Sequence, residues 1–172
     1  TRNKVVVSGA INPAYLSVVR QALSSHGTHI ECVPFLEDGR TDMRAAAALV
    51  DSDTAAVLIQ TPNFFGVVED ILPLAEAASN REVYSIVCGN PLAYGIYSPP
   101  GNSVADIAVG DMQPFGIPLQ FGGPYVGYIA CRHELVRQLP GRIVGETIDN
   151  QGRRGFVLTL QAREQHIRRE KA

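Results

Sequence analysis

Residues 110–132 read GDMQPFGIPLQFGGPYVGYIACR. Glycines and prolines crowd the first part, as in a tightly folded loop, and residues 125–131 then read as a strand. The most chemically committed side chain of that loop is the amide of Gln113. Gly110, Gly122 and Gly123 raise a phosphate cradle as an option. No Walker-type lysine follows, however, and the loop leads into a strand rather than a helix N-terminus, so a P-loop is not supported.

Outward from this loop, the apolar runs 5–7, 56–59 and 85–88 lack polar alternation. Strands covered by helices on both faces of a parallel sheet read this way. Asn12-Pro13 opens a helix with a capping residue and a proline at the first helical position. Leu16, Val19 and Leu23 fall on one face of it, and Gly27 closes it. A strand over 29–34 leads to a helix capped at Thr41 and running through 45–50. The next helix follows Gly66, with Val68, Ile71, Leu72, Ala75 and Ala78 apolar. Pro73 is tolerated there if the helix begins near Glu69 or Asp70.

Beyond the 110–132 stretch, a short helix is expected over 133–139. Asn150-Gln151-Gly152 reads as a hairpin turn between 147–148 and 156–160. Residues 161–171 read as a polar helix with Glu164 and Arg168 at i,i+4. The alternation of strands and helices predicts an α/β fold, a three-layer, mostly parallel sheet covered by helices, with 1–172 as one domain.

At 172 residues, 45% hydrophobic and 19% charged, the chain can bury a sizeable core in the manner of a soluble globular domain. No apolar run approaches the roughly 20 residues of a membrane span. Cys32, Cys88 and Cys131 are odd in number, widely spaced and set in apolar runs, which predicts reduced, buried thiols and a cytoplasmic compartment. Residues 1–152 carry nine basic and 15 acidic side chains, and residues 153–172 carry six and two, giving the overall −2. The basic tail lacks the interleaved aromatics of a base-stacking surface, so it reads as a solvated or partner-facing helix.

Bland readings absorb most of the other conspicuous residues. His26 and His29 read as a surface helix end rather than as a metal-ligand pair. Ser8-Gly9-Ala10-Ile11-Asn12-Pro13 has one glycine where a dinucleotide fingerprint needs three. Ser98-Pro99-Pro100-Gly101 is turn chemistry, and no Ser-His-Asp set has supporting spacing. The chain begins without methionine, three residues before a core-type strand, and stops at Arg168-Arg169-Glu170-Lys171-Ala172 without a helix stop signal. It therefore reads as a piece of a longer polypeptide.

The loop carries a resemblance as well. Gln113-Pro-Phe-Gly-Ile-Pro-Leu-Gln-Phe-Gly-Gly-Pro124 resembles the lysine-bearing loop of fold-type I pyridoxal-phosphate enzymes, and Thr61-Pro-Asn-Phe-Phe-Gly66 with Val68-Glu-Asp-Ile71 resembles that superfamily's Pro-Asn…Gly turn and following helix. Pro140-Gly-Arg-Ile-Val-Gly-Glu-Thr147 and Leu158-Thr-Leu-Gln-Ala-Arg-Glu-Gln-His-Ile-Arg-Arg-Glu-Lys-Ala172 are similar to one member family, the P-protein of the glycine cleavage system. The wording resembles the first subunit of its two-subunit bacterial form, glycine dehydrogenase (decarboxylating). The resemblance implies that the chain is part of the large domain of the aspartate aminotransferase-like fold.

It also implies a division of labour. The P-protein pairs two homologous halves, and in one of them the loop carries the Schiff-base lysine. Here Gln113 holds that position, and an amide nitrogen is no useful nucleophile. Lys4 and Lys171 are the only lysines, one at each end. The strand-end aspartate that pairs with the cofactor's pyridine nitrogen is missing too, its place falling at or beside Ile86. The chain thus resembles the degenerate half of a heteromer, with no catalytic residue of its own. Pyridoxal phosphate is expected on the lysine-bearing second subunit, with glycine as substrate and the lipoylated H-protein as a further partner. Gln113, Gly122, Gly123, Arg142, His166 and Arg168 are the candidates for lining the site or crossing the interface, the last three toward anionic groups. Residue patterns alone leave open a non-enzymatic α/β binding or regulatory domain derived from the same fold. They give no reason to expect nucleic acid, a membrane or a metal as a partner.

Overall fold

The computed structural model describes residues 2–102, 105–119 and 125–161, with the side chains of 159–161 left aside. The chain divides into two compact units, Thr1–Cys131 and Arg132–Ala172.

The first unit is built on a six-stranded sheet. Its strands are β1 (Lys4–Ser8), β2 (His29–Val33), β3 (Thr54–Gln60), β4 (Tyr84–Cys88), β5 (Ile107–Asp111) and β6 (Gly127–Cys131). The order is β2-β1-β3-β4-β5-β6, parallel from β2 through β5 and antiparallel between β5 and β6. Helix α1 (Pro13–Ser24) carries the chain from β1 outward to β2, and α2 (Met43–Leu49) carries it back across β1 to β3. Right-handed crossovers in opposite directions put their helices on opposite faces of a sheet. The core divides accordingly. Val6, Val57 and Ile59 pack with Ala46 of α2 and with Leu74 and Ala78 of α3 (Leu72–Ser79). Val7, Leu58 and Cys88 pack with Ile11 and with the partly buried Leu16 and Val19 of α1. Adjacent residues such as Val6 and Val7 serve opposite faces because strand side chains alternate, which is why these strands lack polar alternation.

Local chemistry sets the helix ends. Asn12 caps α1 by accepting from Ala14 N at 2.9 Å, with proline in the first turn. Gly27 takes a left-handed φ of 67° in the turn that follows. The cap of α2 is Asp42, which accepts from Arg44 N and Ala45 N, and not Thr41. Thr41 is buried, and its hydroxyl is committed to Glu69 and Ser8. Helix α3 begins at Leu72 rather than at Glu69 or Asp70, with Pro73 in its first turn. Residues 67–71 stay irregular because Glu69 turns inward to receive those tertiary hydrogen bonds.

Three further expectations change. Cys32 is exposed, whereas Cys88 is buried and Cys131 intermediate. Cys32 lies on β2, an edge strand, where Arg20 donates to its Sγ at 3.1 Å. His29 starts β2 rather than ending a helix, and its ring meets Glu31 at 2.9 Å. The helix expected over 133–139 is a 3₁₀ segment, His133–Gln138.

The second unit contains that segment and a hairpin of β7 (Arg142–Ile148) and β8 (Arg154–Gln161). Asp149 organises the turn, accepting from Gln151 N, Arg153 N and Arg153 Nε, and Gly152 supplies a φ of 76°. Glu146 pairs with Arg154 at 2.7 Å, and the Arg154 guanidinium lies 5.0 Å from the Phe156 ring centre. Beyond residue 161, the stretch expected as a polar helix lies outside the described residues. Among the described residues no helix is long and apolar enough to cross a membrane.

Candidate functional site

In open α/β sheets, ligand crevices lie beyond the carboxyl ends of the strands, near the place where the chain reverses its direction across the sheet. Here that reversal falls between β1 and β3. A cavity of about 310 Å³ lies at this end of the sheet. Tyr15 enters it from the first turn of α1, Gln60 from the end of β3, and Cys88, Gly89 and Asn90 from the end of β4. Gly110 and Asp111 close β5, and Pro62, Ala93 and Pro114 add apolar wall.

Two glycines let the strands end this close together. A Cβ on Gly110 would run into the Gly89 carbonyl and sit 2.6 Å from the Tyr128 ring; one on Gly89 would run into the Tyr94 hydroxyl and sit 2.7 Å from the Thr61 carbonyl. Tyr128 donates to the Gly89 carbonyl at 3.0 Å, with its oxygen 3.4 Å from that of Tyr94. These rings brace the cavity from behind.

The polar groups facing the cavity are fixed by bonds to the scaffold. Tyr15 donates to Asp111 Oδ2 at 3.1 Å, and Gln113 N donates to Asp111 Oδ1 at 3.2 Å. Gln60 Oε1 accepts from Asn12 N at 2.8 Å, and Asn90 Oδ1 accepts from Leu92 N at 3.0 Å. With both carbonyl oxygens committed, the NH₂ ends of Gln60 and Asn90 are the free ends. Burial, then the bond to Asp111, pushes the Tyr15 phenol up to about 12. Burial, then the nearby Asp111 charge, pushes the Cys88 thiol up to about 11. Neither is a nucleophile near neutrality. Among the described residues, Asp111 is the only carboxylic acid lining the cavity, and no lysine, arginine or histidine lines it.

Pyridoxal phosphate does not fit this lining. Its phosphate would face a carboxylate with no cation among the described lining residues to offset it, and none of those residues offers an amine to hold its aldehyde. Lys4 starts β1, at the opposite end of the sheet, where it is paired with Asp51 at 2.5 Å and donates to the Leu49 carbonyl. Gln113 itself sits on the 3₁₀ turn Gln113–Phe115 that follows β5. From that turn Pro114, rather than Gln113, lines the cavity, and the buried Gln113 Nε2 has no hydrogen-bond partner. At the end of β4 the lining residue is Cys88. Ile86, two residues earlier, packs beneath α1.

Arg142 is exposed on β7, in the second unit. Gly122, Gly123, His166 and Arg168 lie outside the described residues. No group of three or more His, Cys, Asp and Glu side chains placed to hold a metal occurs among the described residues.

Tyr15, Gln60, Asn90 and Asp111 did not stand out in the sequence. One signal was available: Gly110-Asp111 directly follows an apolar run, as the carboxyl end of a buried strand would.

A second polar cluster lies beside the cavity wall. Asn63 is buried and shapes the 61–66 turn, accepting from Phe65 N and Val67 N. Its amide donates to the Gly39 carbonyl and to Glu69 Oε1. The same Glu69 oxygen accepts from Thr41 N at 2.9 Å and Thr41 Oγ1 at 2.7 Å. Thr41 spends its hydrogen on that carboxylate, so Ser8 donates to Thr41 across their 2.6 Å contact. This network, converging on one Glu69 oxygen, is a brace for the strand ends.

A family model described as "Glycine cleavage system P-protein" matches residues 1–172. Two relatives named "Probable glycine dehydrogenase (decarboxylating) subunit 1", from Protochlamydia amoebophila (strain UWE25) and Geobacillus kaustophilus (strain HTA426), are 54% and 51% identical over 172 and 171 residues. The alignments cover 100% and 99% of this chain but 39% and 38% of those proteins. A solved structure, "Crystal structure of glycine decarboxylase (P-protein) of the glycine cleavage system, in inhibitor-bound form", matches with a TM-score of 0.89 at 47% identity. That match covers 99% of this chain and 38% of that one. The chain thus spans about two fifths of the length of the curated relatives it matches.

Proposed function

The chain belongs to the glycine cleavage system P-protein family, and from that membership we propose that it is part of the first subunit of a two-subunit glycine dehydrogenase (decarboxylating). The holoenzyme would take glycine, release carbon dioxide and pass the aminomethyl group to the lipoyl arm of the H-protein. Pyridoxal phosphate, which supplies the electron sink for such chemistry, would reside on the second, lysine-bearing subunit in a cytoplasmic heteromer. Both units of this chain would be parts of one large domain of the longer polypeptide.

The carrying observation is identity of about half the residues along the whole chain, joined to a strand-end cavity where a carboxylate is the only charge among the described lining residues. A half that keeps the fold but places no amine among the described residues of this cavity contributes surface: it would support or complete the partner's site. Gln113, Gly122, Gly123, Arg142, His166 and Arg168 are the residues proposed for that face. An independent binding or regulatory domain is not favoured by the family membership.

Mixing the full-length subunit with the lysine-bearing subunit tests this. An obligate interface usually buries upward of about 2,000 Å², so size-exclusion chromatography should give one heteromeric peak, and carbon dioxide release from glycine should require both chains. Two independent peaks at micromolar concentration, or full activity from either subunit alone, would overturn the proposal.

A further inference from the structure

A second cavity, of about 430 Å³, shares Pro62 and Ala93 with the strand-end cavity but is otherwise lined differently. We propose that it binds a small organic cation, a primary ammonium on an apolar body that carries no carboxylate. The ammonium sits on Glu69 Oε2 and the body lies against Ile71, Leu72 and Tyr97. This inference is independent of the decarboxylase reading.

Glu69 carries the argument. It is 6% exposed, yet it lines the cavity. Thr41 N, Thr41 Oγ1 and Asn63 Nδ2 all donate to its Oε1, which fixes the carboxylate in place. Among the described residues no donor meets its Oε2. Leaving an oxygen of a buried carboxylate without a donor costs free energy. An ammonium entering the cavity supplies a charge-assisted donor at that atom.

The lining sets the sign of the ligand. Glu69 and Asp70 are acids, and no lysine, arginine or histidine occurs among the described lining residues. Asp70 is exposed and accepts from Leu72 N through Oδ1 at 3.2 Å, so its charge stands at the open side. Glu69 also borders a cavity of about 520 Å³, but there Arg40 and Arg44 offset the acids. The 430 Å³ cavity has no such offset among its described lining residues. It therefore attracts a cation and repels a free carboxylate. An amino acid brings both groups, and the second keeps it out.

The walls define the rest of the ligand. Ile71, Leu72 and Pro100 are apolar, and Tyr94 and Tyr97 add aromatic surface. Tyr94 is positioned at its hydroxyl, 3.4 Å from that of Tyr128. Aromatic rings attract an ammonium through their negative faces, and the apolar side chains gain by covering a hydrocarbon body. The volume lies within the range of small-molecule pockets, which suits an alkyl or arylalkyl amine.

Titration calorimetry on the full-length subunit, purified without its partner, tests the proposal with phenethylammonium, phenethyl alcohol and phenylalanine as probes. The alcohol removes the charge, and the amino acid adds a carboxylate. Phenethylammonium should bind saturably, phenethyl alcohol about tenfold more weakly, and phenylalanine not measurably. Glu69→Gln keeps a carbonyl oxygen for the three donors but sets an NH₂ in place of Oε2, donor against donor. It should weaken phenethylammonium about tenfold or more while cooperative thermal unfolding is retained. Tyr97→Ala, at a half-exposed position, should weaken it several-fold. Absence of saturable phenethylammonium binding, either other probe binding as strongly, or unchanged affinity in a folded Glu69→Gln protein would overturn the proposal. Should Glu69→Gln fail to fold, Tyr97→Ala decides: unchanged affinity there removes the wall contact and the proposal with it.

Discussion

The phenol of Tyr15 donates to Asp111 Oδ2 at 3.1 Å, joining the first turn of α1 to the last residue of β5. Burial, and then this bond, raises the phenol from 10.0 to about 12, while burial and the Asp111 charge raise the Cys88 thiol from 9.0 to about 11. Both groups hold their protons more tightly folded than unfolded. Above pH 9.0 the unfolded chain releases protons that the folded chain keeps, so stability must fall as pH rises. The contribution is intact below the unfolded values and is lost as pH climbs through about 11 and 12. The urea midpoint is therefore expected to be level from neutrality to about pH 9 and to decline above it. Tyr15→Phe should shrink the later part of that decline. A midpoint equally alkali-sensitive in Tyr15→Phe and wild type would contradict this account.

Glu69 gives a sharper contrast. It is 6% exposed, and Thr41 N, Thr41 Oγ1 and Asn63 Nδ2 all converge on one of its oxygens, Oε1. Glu69→Ala would strand these donors where water does not replace the acceptor, at a cost of about 3–5 kcal/mol. Glu69→Gln offers a single carbonyl oxygen in the same place and keeps all three bonds, losing only their charge assistance, about 1 kcal/mol. Chemical denaturation of the two variants should separate them clearly. Equal losses would mean that the negative charge, rather than the convergence on one oxygen, braces the strand ends.

Gly110 is constrained from two sides. A Cβ there meets the Gly89 backbone carbonyl and the Tyr128 ring. The ring could swing, but the carbonyl belongs to the β4 end and moves only if the sheet opens. Gly110→Ala should therefore cost several kcal/mol. Gly110→Ala combined with Tyr128→Ala should recover little, because the backbone clash remains. A thermal midpoint within a few degrees of wild type for Gly110→Ala would show that β4 and β5 separate more easily than this packing allows.

Legibility followed the range of the forces involved. Strands β1, β3 and β4 were readable because burial on both faces removes polar residues from a short window, and the Asn12-Pro13 start of α1 was readable because a cap is a contact over two residues. The hairpin turn before Arg153 was local as well. The α2 cap was misplaced by one residue, since Thr41 and Asp42 are both capping types and only a partner 28 positions away, Glu69, shows which is already committed. Cys32 was misjudged because its exposure depends on β2 being a sheet edge, a property of strand order. At the site, the loop bearing Gln113 declared itself through its glycines and prolines. The Tyr15–Asp111 pair did not, because nothing within a sequence window connects residues 96 positions apart.

Gln113 offers the last test, and its two substitutions point in opposite directions. Its Nε2 is buried without a hydrogen-bond partner, so the amide carries a desolvation cost with no return. Gln113→Met keeps the length and removes that group, and should stabilise the fold by about 1 kcal/mol. Gln113→Lys restores the residue type expected on this loop but puts an ammonium where even a neutral amide finds no acceptor. Burial of that kind costs several kcal/mol or drives the amine to its neutral form. Attachment of pyridoxal phosphate would also need a cation for the phosphate, and none is among the described residues lining the neighbouring cavity. Each missing 1.36 kcal/mol of transition-state stabilisation costs about tenfold in rate, and the described lining supplies no counter-charge for the phosphate. In the full-length subunit without its partner, Gln113→Lys is expected to be less stable than wild type. Its exchange of labelled bicarbonate with the glycine carboxyl group should stay at the no-enzyme background. Exchange above background from this single variant would show that the half without a lysine had kept the rest of the chemistry.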